Sequence, residues 1–79
     1  MSDTHRNFLS DCGYLLREDA LAAKAAELEA HGTEDHAYQL GRAMAYYEVI
    51  TLLIAQAEAF GLPLADLRLE GLDPEGQLL

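Results

Sequence analysis

The chain has 79 residues, 14 acidic and 5 basic, for a formal charge of −9. One domain of this length buries only about 60–65% of its unfolded surface and usually needs a disulfide, a metal or a second subunit; the lone Cys12 excludes an internal disulfide and suits a reducing, cytoplasmic setting. The cations Arg6, Arg17, Lys24, Arg42 and Arg68 are scattered, so the sequence presents neither a nucleic-acid-binding face nor an attraction to anionic membrane.

In chain order, residues 1–13 read as a partly helical arm. Phe8, Leu9, Cys12, Leu15 and Leu16 stand at helical spacing, and Ser2 or Thr4 can cap it. No basic leader with a continuous apolar core opens the chain, and no apolar run approaches the ~20 residues of a membrane span, so a soluble protein is expected. Gly13 weakens a helix locally by about 1 kcal/mol relative to alanine. Residues 14–31, YLLREDALAAKAAELEAH, are built from strong helix formers, and Gly32 can take the left-handed conformation that ends a helix. The apolar face shifts within this region, from Phe8, Cys12, Leu15 and Leu16 to Leu21, Ala25 and Leu28 well round the circumference. A kink between Gly13 and Asp19 is therefore predicted, with two separately covered faces, or a fresh helix capped by Asp19, as the alternatives.

Residues 32–35 form the predicted turn. Thr33 is the expected N-cap, and Glu34 and Asp35 place negative charge in the next first turn. A second helix over 36–60 ends at Gly61, with Pro63 beyond. So short a connection makes the pair an antiparallel helical hairpin, an all-α fold. In the tail, 61–79, Pro63 to Leu67 predicts a helical turn and Leu67-Arg68-Leu69-Glu70 alternates like a short strand. Asp73-Pro74-Glu75-Gly76 is a type I turn signature, and residues 77–79 are expected to fray. Leu62, Leu64, Leu67, Leu69 and Leu72 are too apolar for water, so the tail should pack back over the hairpin.

The second helix carries more apolar circumference than one neighbour covers. Leu40, Ala43, Tyr47, Ile50 and Ile54 form a stripe, which Tyr46, Val49, Leu53, Ala57 and Phe60 widen to half the helix or more. A single packed helix shelters about 100°. The tail supplies part of the remaining cover, and a second copy of the chain would supply the rest by forming a four-helix bundle. The expected dimer interface is Leu40, Ala43, Tyr46, Tyr47, Ile50, Leu53, Ile54 and Phe60.

Chemistry-bearing residues are sparse. His31 and His36 flank the turn with Asp35 and are the candidate metal ligands, although no closely spaced Cys/His pair accompanies them. Tyr46, Tyr47 and Glu48 point about 100° apart in succession and do not converge on one reacting atom. Cys12 lies on an apolar face, as buried unreactive thiols do. No glycine-rich phosphate cradle or nucleophile elbow is present, so no enzyme activity and no cofactor is expected. The sequence thus predicts a non-enzymatic protein–protein interaction module working as a homodimer. An alternative is an acidic inhibitor that docks a basic enzyme through Glu27, Glu29, Glu34 and Asp35, and another is metal binding at the turn.

Overall fold

The computed structural model describes residues 2–79; Met1, the first residue of the expected arm, lies outside the described residues. The described residues form an all-helical hairpin with a folded-back tail. Helix α1 spans Asp3–Glu29, α2 spans His36–Ala59, a 3-10 turn spans Leu64–Leu67, and the short α3 spans Pro74–Leu78.

The arm and the first predicted helix are one continuous helix, with no restart at Asp19. Ser2 begins it, its side chain accepting from the His5 backbone N–H at 3.2 Å. The shift of apolar face has another cause: α1 meets α2 along one stripe and the tail along a second. Buried residues of α1 recur every seven positions, at Gly13, Ala20 and Glu27 and again at Ala23 and, just past its end, Ala30. Those of α2 do the same, at Ala43, Ile50 and Ala57. A seven-residue repeat keeps a seam facing its partner along the whole length of two helices. Most of these side chains are alanine or glycine, which fill little volume between the helices.

The turn is tied locally. Gly32 takes φ +80°, the left-handed conformation that glycine adopts without steric cost. Thr33 does not cap α2 as expected. Its hydroxyl donates to the Ala30 carbonyl at 2.6 Å and accepts from the Asp35 N–H at 3.2 Å, so it organises the turn, and α2 starts at His36 without a side-chain cap. At the far end, the Leu62 N–H donates to the Ala57 carbonyl and the Gly61 N–H to that of Glu58, with Gly61 left-handed. This double closure ends α2 where the sequence predicts.

The tail departs most from expectation. Residues 67–70 are not strand-like. The chain turns sharply at Arg68, a non-glycine residue at φ 57°, and the Leu69 N–H closes back to the Leu64 carbonyl. Asp73-Pro74-Glu75-Gly76 is not an isolated turn but opens α3, with Pro74 in the position where a helix does not need its N–H. Leu78, expected to fray, is buried. Leu67, Leu69, Leu72 and Leu78 share one core with Ala20, Ile50 and Ala57, and Leu62 and Leu64 pack on its edge. The tail therefore supplies the bulk that the alanine seam lacks.

Three contacts from α1 hold it there. Gly13 admits the Leu67 backbone so closely that a Cβ at this position would lie 1.8 Å from the Leu67 carbonyl oxygen. The Arg17 guanidinium donates to the carbonyls of Arg68 at 3.0 Å and Glu70 at 3.1 Å. The Arg68 guanidinium in turn lies 4.2 Å over the Tyr14 ring, a cation–π contact. From α2, the Tyr47 hydroxyl donates to Glu75 at 3.3 Å.

Candidate functional site

Two features stand apart from the core, one polar at the closed end of the hairpin and one apolar along its back.

The heptad seam that buries Gly13 and Ala20 also buries Glu27, which is only 3% exposed. A carboxylate in this position needs partners. Lys24, one turn earlier on α1, donates to Oε1 at 2.7 Å. His31, one turn later, places Nε2 at 2.9 Å from Oε2, and His36 in the first turn of α2 places its Nε2 at 3.3 Å from the same oxygen. The two imidazole rings lie 4.2 Å apart, centre to centre. The Lys24 hydrogen bond is the main influence holding the Glu27 carboxyl below its ordinary range. Burial opposes it, and the hydrogen bond from His36 and the charges of Lys24 and His31 add to the lowering.

Of the turn residues expected to ligate, the structure brings His31 and His36 together and leaves Asp35 out, since its Oδ2 accepts from Gln39 Nε2 at 2.9 Å. Glu27 stands with the histidines instead. Its placement corrects the expected acidic face: Glu27 turns inward, while Glu29, Glu34 and Asp35 remain on the surface. Two sequence signals point to Glu27, its four-residue spacing from His31 and its place seven residues after Ala20.

The residues of the expected interface divide between core and surface. Ala43 and Ile50 are enclosed by the chain's own core, and Ile50 is wholly inaccessible. Tyr46, Tyr47, Leu53 and Ile54 are half-buried against that core. Leu40 and Phe60 are exposed, Phe60 at 76%.

Other large apolar side chains share the surface with Phe60. They include Phe8 and Leu15 on α1, at 65% and 57% exposed, and Val49 and Leu52 on α2, the latter at 59%. Helix geometry places them together. Leu15 lies about 160° round α1 from Arg17, which grips the tail, and Val49 about 160° round α2 from Tyr47, which also contacts it. Phe8, Leu52 and Phe60 fall on the same side by the same count, so the flank opposite the tail carries five large exposed apolar side chains, interspersed with the exposed Asp19, Arg42 and Gln56. No helix among the described residues is long and apolar enough to cross a membrane.

Comparison with protein-family models, curated proteins and solved structures finds no match.

Proposed function

We propose that this chain is a self-associating helical module that acts by protein–protein contact, two copies pairing back to back into a four-helix bundle. The observation that carries this reading is the flank opposite the tail. Phe8, Leu15, Val49, Leu52 and Phe60 are large, exposed and gathered on the flank the tail leaves open. Burying a side chain of this size yields roughly 1.5–3 kcal/mol, so sheltering these residues from two chains is comparable with the roughly 4–15 kcal/mol that association costs. A scattered exposed leucine needs no explanation, but five large apolar side chains on one flank of two helices are the pattern of a contact surface. The interface is thereby moved round the hairpin: Ala43 and Ile50 serve the subunit core, and Phe60 and Leu52 serve the contact. The exposed Glu29, Glu34 and Asp35 keep the bundle's end hydrated.

Light scattering over a dilution series tests the proposal. The wild-type chain should give about twice its mass of 8.7 kDa at high concentration. Phe60→Glu and Leu52→Glu should give the single-chain mass with helicity retained, because both sites are exposed. A wild-type chain that stays at the single-chain mass throughout the series would refute the reading. Ile50→Glu is no test of assembly, because it buries a charge in the subunit core and unfolds the chain.

A further inference from the structure

We infer that Glu27, His31 and His36 form a binding site for one divalent transition-metal ion, of which zinc is the best chemical fit. This inference is independent of self-association. It rests on the size of the donor triangle, on how the donors are held, and on their chemistry.

The Nε2 atoms of His31 and His36 converge on one oxygen, Glu27 Oε2, at 2.9 and 3.3 Å, and the ligand atoms of all three residues lie within 4.8 Å of one another. In a tetrahedral zinc site with bonds of about 2.0–2.1 Å, donors stand about 3.4 Å apart along each edge. Two edges of the triangle, at 2.9 and 3.3 Å, are close to that length, and the third is no longer than 4.8 Å, so the donors are near enough to share one ion.

Each donor is fixed by the fold. Glu27 in the last turn of α1 and His31, two residues past its end, are i and i+4 and face one another. His36 is brought opposite by a turn that Gly32 and the two hydrogen bonds of Thr33 lock. Lys24 donates to Oε1 at 2.7 Å and so leaves Oε2 for the ion, the orienting role that partners of ligating carboxylates perform. Its positive charge lowers affinity, and the overall charge of −9 works the other way.

Two imidazoles and one carboxylate suit zinc and its borderline neighbours rather than calcium or magnesium, which take oxygen ligands. His31 is the most exposed of the three at 63% of its side chain, so an ion held there would be open to a further ligand from solvent. Without the ion, two imidazoles share one carboxylate oxygen. With it, both lone pairs and the carboxylate turn to the metal, which clips the end of α1 to the start of α2.

Calorimetric titration of the 79-residue chain with zinc chloride at neutral pH tests the site. One zinc should bind per chain, and the melting temperature should rise with zinc concentration. His31→Ala, His36→Ala and Glu27→Gln should each weaken binding at least tenfold. His31→Ala is the safest for folding, because that side chain is mostly exposed, and its circular dichroism without metal should match wild type. Magnesium chloride should shift neither heat nor melting temperature. Absence of saturable zinc binding would overturn the inference. So would an affinity unchanged in His31→Ala, or equal binding of magnesium.

Discussion

Gly13 offers a test in which local and tertiary reasoning predict opposite signs. Replacing a glycine inside a helix by alanine normally stabilises by about 1 kcal/mol, because the unfolded chain loses freedom and the helix gains a better former. Gly41, inside α2, should behave that way: a Cβ there meets nothing within 4 Å. At Gly13 the added carbon would sit 1.8 Å from the Leu67 carbonyl oxygen and 2.7 Å from its carbon. These are backbone atoms, so no side chain can rotate aside, and the tail must retreat by roughly 1.5 Å to restore ordinary contact. Outright release of the tail would expose Leu67, Leu69, Leu72 and Leu78 at roughly 1.5–3 kcal/mol each. A strained displacement is cheaper, at about 1–3 kcal/mol for overpacking. Set against the propensity gain, Gly13→Ala should destabilise by about 2 kcal/mol at the upper end of that range. In a domain of this size 1 kcal/mol moves the melting temperature by about 4–8 °C. Thermal melts followed by circular dichroism should therefore show Gly13→Ala lowered by about 10 °C and Gly41→Ala raised by about 5 °C. A Gly13→Ala protein that melts higher than wild type, as Gly41→Ala should, would refute the close packing of the tail on α1.

Two further outcomes follow from the core and from the Glu27 cluster. Leu69 is wholly buried beneath the hairpin, so Leu69→Ala should cost about 2–5 kcal/mol in denaturant unfolding, whereas an exposed control, Leu28→Ala, should change stability little. The Glu27 carboxyl, held below its ordinary value chiefly by the Lys24 hydrogen bond, contributes stability that is present above the unfolded-state value of 4.5 and lost as pH falls through the lower folded-state value. Acid titrations of stability should show this loss in wild type below about pH 4.5 and a flatter acid limb in Glu27→Gln; identical acid limbs would refute the pairing.

Much of the fold was legible because it depends on neighbours in the chain. The alanine-, leucine- and glutamate-rich run predicts α1, the glycines at 32 and 61 predict where the helices stop, and the short connection between them predicts an antiparallel hairpin. The candidate site was half legible: His31 and His36 stand out beside the turn, but Asp35, the nearer acid, took the place that belongs to Glu27. Sequence proximity favoured Asp35, while the direction in which each carboxylate points is set by the seam between the helices.

What the sequence by itself determined is the two long helices, the points where they stop and the short connection that makes them antiparallel. Each is decided within about one helical turn by hydrogen bonds and steric limits that act between near neighbours. Only the tertiary structure decided the uses of Gly13, Arg68 and Leu78, and the inward turn of Glu27. The bonds from Arg17 to the carbonyls of Arg68 and Glu70 span 51 and 53 positions, and no periodicity records which distant segment will approach a glycine or a charge. That approach is chosen by the volume left over when an alanine seam closes, which is a property of the packed chain and of no stretch within it.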